Sequence, residues 1–361
     1  MFKKAASPNA LIERRFNVLR TAIAVTLALV IAFILLLSVS KHPLDDMATF
    51  LFGPFTSVNR FALMFEKVTP LLFTGVAVCL MYACGQINLA AEGAFFAGAF
   101  VCTPIAMQAG IAAGLHPVLC VLAAGCAGAV ICGIPAVMHV KLNVMTVVSS
   151  LMINYVSLYL GLYLVLNFFR DPRAGYEASY EFAMSARLPS ATNMANIHPG
   201  LLVGVLAVIF GYVLLYKTVF GYNVRMIGQN KRFAQYSGIN VGLTVILVQL
   251  LAGFLAGAGG SMEVLGMYNR FKYTGLTNHG WDGVMIAVLA RNNPAYVPFA
   301  VIFLAYVRTA ADVLSRTSEV PTEVVKVIQA AVIIFIAAES LLSAWEHRAI
   351  ARASKARLRE G

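Results

Sequence analysis

The chain has 361 residues, of which 60% are hydrophobic and only 12% charged, with a formal net charge of +11. Soluble domains carry roughly 45–50% apolar and about 25% charged residues, so this composition excludes an ordinary water-soluble enzyme. The cations gather in three clusters between or beyond apolar runs, which sets nucleic acid aside and fits the positive-inside pattern of membrane proteins.

Residues 1–20 carry Lys3, Lys4, Arg14, Arg15 and Arg20 and read as a cytoplasmic segment. The first apolar run, Thr21–Val39, is too long for a signal-peptide core and lacks a small-residue cleavage site, so it reads as a retained anchor. Asp45–Ser57 is amphipathic and too short to span; it lies in the interface or dips part-way. Four spans follow: Phe61–Ala83, Ile87–Met107, Pro117–Met138 and Val144–Leu166. Each run of about 20 apolar residues suits a helix across a hydrocarbon core of roughly 30 Å, where backbone polar groups must be satisfied internally.

The Asn167–Pro199 loop mixes Asp171, Glu177 and Glu181 with Phe168, Phe169, Tyr176 and Tyr180. It reads as a plain connection, a short external helix or a landing surface for an extracytoplasmic partner. A sixth span, Leu201–Lys217, leads into a polar insert, residues 218–242. There Gly228, Gln229 and Asn230 make a turn or cap signal. Lys231, Arg232, Phe233, Ala234, Gln235 and Tyr236 can form about two helical turns, and Gly238 stops them as a glycine just past a helix end does. A short basic helix between spans suits docking of a soluble partner; an ordinary amphipathic loop is the plainer alternative.

Leu243–Gly266 is the seventh span. The piece Gly283–Ala290 reaches only about 12 Å as a helix, and half-helices of this length line cavities in transporters. Asp282 before it is placed as an N-cap. Tyr296–Val313 and Glu323–Leu342 complete about ten spans within a membrane domain over 21–344. A basic tail, 345–361, carries Arg348, Arg352, Lys355, Arg357 and Arg359. The charge clusters put both termini in the cytoplasm.

A carboxylate at mid-bilayer costs at least about 2.5 kcal/mol, so such groups face a cavity or a partner. Glu92 has Asn88 one turn before it and Phe95 and Phe96 one turn after. That combination suits a ligand with hydroxyls and a flat ring, or an interhelical hydrogen bond that holds the bundle. Glu263 lies among Gly257, Gly259 and Gly260 and reads as a tight-packing position or as a second carboxylate of the substrate pathway. Asn154, with Ser150 and Tyr155, is a further candidate for the substrate pathway, as is Asp282. The six cysteines read as small buried hydrophobes. The six histidines are scattered without metal-ligand spacing, and G-x-x-x-x-G-K-[ST] is absent, so no ATP is hydrolysed here by a phosphate loop.

The insert G-Q-N-K-R-F-A-Q-Y-S-G-I-N resembles the coupling segment of binding-protein-dependent ABC permeases of the branched-chain amino acid, ribose and nucleoside class, G-x-N-P-x-A-A-x-Y-x-G-I. It matches at Gly228, Asn230, Ala234, Tyr236, Gly238 and Ile239, and departs at Lys231 (often proline) and Phe233 (usually alanine). Gln86–Gly93 resembles the N-I-G-x-E-G motif of the nucleoside and simple-sugar branch. Gly253–Phe271 and Gly280–Pro294 resemble that branch's L-A-G-x-x-G-x-x-E-V-L-G and G-F-D-G-x-x-V-A-L-L-G-R-x-x-P stretches.

The resemblance implies an all-α, type II ABC importer-like permease subunit of a bacterial cytoplasmic membrane, moving a nucleoside or simple sugar. It implies two such subunits, identical or related, with cytoplasmic ATPases that hold ATP and Mg, and an extracytoplasmic binding protein. This chain would carry no cofactor of its own. A self-sufficient ion-coupled secondary transporter, with Glu92, Glu263 and Asp282 as relay groups, is the alternative.

Overall fold

The computed structural model describes residues 26–27, 29–189 and 197–337. The terminal basic clusters and the end of the Glu323–Leu342 run lie outside the described residues. The described chain is helical apart from loops and one isolated bridge between Arg170 and Ser179. Two units are distinguished. The larger covers Val58–Tyr306; the smaller joins the segments up to Ser57 and from Val307 onward.

In the smaller unit, α1 (Leu29–Val39) is followed by α2 (Pro43–Phe52) and a 3-10 turn, Gly53–Phe55. This is where the sequence predicts a short interfacial element. Lys41 Nζ meets Glu319 Oε2 at 2.5 Å on the surface. An added methyl on Gly53 would meet Val313 Cγ1 at 2.9 Å, so this turn seats closely on that helix.

In the larger unit the helices are α3 (Val58–Ala83), α4 (Ala91–Ala106), α5 (Leu115–Leu142), α6 (Thr146–Phe168) and α7 (Gly200–Lys217). Then come α8 (Val219–Gln229), α9 (Lys231–Tyr236), α10 (Val241–Met267) and α11 (His279–Leu289). The last long helix of this part, α12 (Val297–Thr317), runs on into the smaller unit, where α13 (Thr322–Ala337) follows. Among the described residues six helices are long and apolar enough to cross a membrane: α3, α5, α6, α7, α10, and α12 with its preceding turn.

Two predicted elements differ. The Ile87–Met107 span is not one helix: residues 86–89 are irregular, and the helix starts only at Ala91. The short piece begins at His279 rather than Gly283, and Asp282 is the fourth residue inside it rather than its cap, which is Asn278.

The α10 helix is the central post, packed on α5, α4 and α3. Small residues permit this. A methyl on Gly98 of α4 would overlap the Gly257 carbonyl, and one on Gly257 would overlap the Ala124 carbonyl of α5. Backbones that approach this closely gain van der Waals contact where lipid offers no hydrophobic drive to pack helices. Around them Phe96, Phe100, Leu158, Leu265 and Phe271 form a continuous buried core.

Candidate functional site

The site is built where regular structure breaks inside the bundle. Gly85, at φ +73, turns the chain out of α3, and residues 86–89 run without regular structure before α4. Irregular backbone within a bundle leaves amides that need partners. Side chains supply them. The Leu89 amide donates to Ser150 Oγ at 3.1 Å, and the Ala90 amide to Asn88 Oδ1 at 2.9 Å. Asn154 donates to the Leu89 carbonyl at 3.0 Å and accepts from the Gly93 amide at 2.8 Å. Asn88 donates to Gln249 Oε1 at 2.9 Å and to the Cys132 carbonyl at 3.3 Å. Asn88 and Asn154 therefore hold the break in place from α5, α6 and α10.

Glu92 stands in the first turn of α4 and is 1% exposed. Its carboxylate accepts from the Asn278 amide and the Gly280 amide, both at 2.6 Å, and from Thr277 Oγ1 at 3.3 Å. These are the unpaired donors at the start of α11, whose own cap residue makes no side-chain bond. A helix N-terminus carries partial positive charge, and a carboxylate across two of its amides satisfies both the charge and the hydrogen bonds. Gly280 is required here, because a side chain would overlap the Glu92 backbone.

Beside this cap lies a group that motif reading passes over. His279 Nε2 is 3.1 Å from Glu263 Oε1, and its Nδ1 is 3.7 Å from Asp282 Oδ2. Glu263 and Asp282 are 3% and 2% exposed. Phe95 lies 5.0 Å from the imidazole, ring centre to ring centre. Glu92, Phe95, Glu263 and Asp282 thus gather at the α11 N-terminus around His279. Phe96 turns the other way, onto Phe271 and Tyr273. The one signal for His279 was its place three residues before Asp282, on the same helical face.

A second region is the polar insert. Thr218 Oγ1 caps α8 by accepting from Gly221, and Asn230 Oδ1 caps α9 by accepting from Phe233, each at 3.0 Å. Gly228 and Gln229 close α8 rather than forming a free turn. Gly238, at φ +81, ends the segment. Ala234 is buried with Ile227 and Val245, while Lys231, Arg232, Phe233, Gln235 and Tyr236 stay exposed. A cleft of about 310 Å³ separates α9 from the end of α5, lined by Gln86, His139, Asn143, Lys231 and Gln235 among others. A methyl on Gly228 would overlap the Ala83 carbonyl, so α8 rests directly on the turn that leads to Asn88 and Glu92.

The Asn167–Pro199 loop forms a strap rather than a helix over its described part. Its amides at Ser179 and Phe182 donate to Phe271 and Asn269 carbonyls, both at 2.9 Å. Arg270 bridges Asp171 at 3.2 Å and Glu181 at 2.6 Å. The hydrogen bond from Arg270, then that from Arg187, holds the Glu181 carboxyl below the usual carboxylate range. Its stabilisation is therefore present above that range and is lost as pH falls through the lowered value. Amide protection over residues 171–187, taken relative to the intrinsic exchange rate at each pH, should fall on acidification below roughly pH 4. In Arg270→Gln it should already be reduced at neutral pH, with a flatter acid dependence. An unchanged exchange profile in that variant would take the strap's fastening away from Arg270.

The family model for the permease component of branched-chain amino acid transport systems matches residues 61–337. The glucose ABC transporter permease protein TsgB13 of Haloferax volcanii is 30% identical over 324 residues, covering 87% of this chain and 85% of that protein. The guanosine ABC transporter permease protein NupP of Bacillus subtilis is 26% identical over 330 residues, with 91% and 95% covered. The nucleoside ABC transporter permease protein NupB of Lactococcus lactis is 24% identical over 357 residues, with 96% and 98% covered.

Proposed function

We propose, from the premise that this chain belongs to the branched-chain amino acid transport system permease family, that it forms the path of an ATP-driven importer for a nucleoside or simple sugar. Two relatives are named for guanosine or nucleosides and one for glucose. The bundle supplies about ten crossings with both termini in the cytoplasm, pairs with a second permease subunit, and receives solute from an extracytoplasmic binding protein. ATP and Mg belong to separate ATPase subunits.

One observation carries this reading: α9 is fixed to the bundle by a single buried alanine and offers every other side chain outward. Two cations, Lys231 and Arg232, and two aromatic rings, Phe233 and Tyr236, form a surface suited to an acidic, apolar-floored cleft on a soluble ATPase. Force applied there reaches the 83–90 turn through Gly228, and from that turn the α11 cap through Glu92. ATPase closure favours one arrangement of the bundle to the extent that its contacts with α9 differ between states.

Lys231→Glu with Arg232→Glu should reduce co-purification of the ATPase subunits at least tenfold while the thermal midpoint of the permease stays unchanged. Normal co-purification would remove the docking role from α9. Reconstituted with its ATPase and binding protein, the permease should take up guanosine or glucose only with ATP. Gradient-driven uptake by this polypeptide alone would overturn the reading.

A further inference from the structure

The outward faces of the helices are not alike. On α7 the exposed mid-helix side chains are Val205, Leu206, Ile209 and Phe210, and its tyrosines, Tyr212 and Tyr216, sit towards its end. That is the ordinary lipid-facing pattern, with amphipathic rings kept to the interface. On α6 the outward face carries Val148, Met152, Val156 and Leu160 and, set among them, Tyr155, Tyr159 and Tyr163, which are 56%, 67% and 59% exposed. Tyr155 and Tyr159 are the tenth and fourteenth of the 23 residues of this helix, well inside any interface belt.

A phenol hydroxyl held in hydrocarbon without a partner is disfavoured, and from mid-helix a tyrosine cannot reach the headgroups. Successive rings at four-residue spacing share one face, about 6 Å apart along the axis. The opposite face of α6 is fixed to the bundle by Ser150 and Asn154, so the tyrosines cannot rotate inward. The phenol row therefore calls for a polar neighbour, which hydrocarbon alone does not supply.

We propose that Tyr155, Tyr159 and Tyr163 wall the solute path, their rings stacking on a flat-ringed, hydroxyl-bearing solute and their hydroxyls meeting water and solute hydroxyls. This rests on the permease reading above. It assigns ring recognition to a face that none of the buried residues around Glu92 can offer. A nucleobase is the ring that three spaced phenols serve best, since every base presents a π-face.

The test uses the assembled transporter with its ATPase and binding protein, in a Cys126→Ser background because the other five cysteines are buried. Cysteines are placed singly at Tyr155, Tyr159 and Tyr163, with Ile209→Cys on α7 as the lipid-facing control. A membrane-impermeant methanethiosulfonate should label the three α6 positions and spare position 209, and guanosine should slow that labelling more than glucose does. Labelling by lipid-soluble maleimide alone would make α6 a lipid wall. Silence to both reagents would make it a dry contact between copies. Either result, or no protection by guanosine, overturns the proposal.

Tyr159→Ala should lower the maximal rate of ATP-driven guanosine uptake about tenfold, and Tyr159→Phe should stay within about twofold. Equal rates in all three would remove the stacking role. If the wild-type complex shows no ATP-dependent uptake, the permease reading fails, while the labelling still reports whether α6 is wet.

Discussion

Glu92→Gln will destabilise the protein, and the loss of uptake will follow from that. The carboxylate spans two α11 amides, each at 2.6 Å, with a threonine hydroxyl beside them. An amide side chain keeps one acceptor oxygen but turns an NH2 group towards a backbone N–H. Charge-assisted hydrogen bonds are worth about 1.5–3 kcal/mol each, so losing one and facing a donor with a donor should cost about 2–4 kcal/mol. For a unit of this size that is a fall of about 5–15 °C in thermal midpoint. Glu92→Asp, one methylene shorter, should recover part of it. Thermal unfolding in detergent, run beside ATP-driven uptake, decides the role. A normal midpoint with uptake lost would give Glu92 to the solute after all, as the pairing of Asn88 and Glu92 with two phenylalanines suggests from sequence alone.

Gly257→Val will prevent recovery of folded protein. The added side chain is directed at the Ala124 carbonyl, with Gly128 Cα at 3.0 Å from its first atom. Neither obstacle is the end of a flexible side chain, so relief requires α5 and α10 to separate. Overpacking costs typically about 1–3 kcal/mol where side chains can shift, and backbone against backbone costs more. Separation would also open the Gly98 contact with α4, and with it the Phe96 and Phe100 core. Size-exclusion chromatography should find aggregated or degraded protein, with Gly257→Ala intermediate. Gly275→Ala, where a methyl meets open space, is the control and should behave as wild type. A monodisperse Gly257→Val would mean that the helices are not held at backbone distance.

The two predictions draw on different kinds of information. Gly257 was already marked in the sequence as a small residue beside Glu263, and the packing role assigned to that stretch needs only the spacing of glycines. The caps of the insert were legible for the same reason. Asn230 bonds three residues ahead and Gly238 adopts the left-handed turn that its lack of a side chain allows. Glu92 was legible as costly, but its partners lie 185–188 residues further along. His279 carries no motif at all until α10 and α11 bring Glu263 beside it.

The sequence by itself determined that this is a helical membrane protein, where most of its long helices run, and that a short basic helix interrupts them. Hydropathy, helical periodicity and capping act within a few residues of chain, so each can be read without knowing what else is near. Only the tertiary structure decided that the third apolar run is broken before Ala91, that Glu92 closes the start of α11, and that three tyrosines of α6 face outward. Those depend on which buried amides are left unpaired once the helices have packed, and on which face of each helix the packing leaves uncovered.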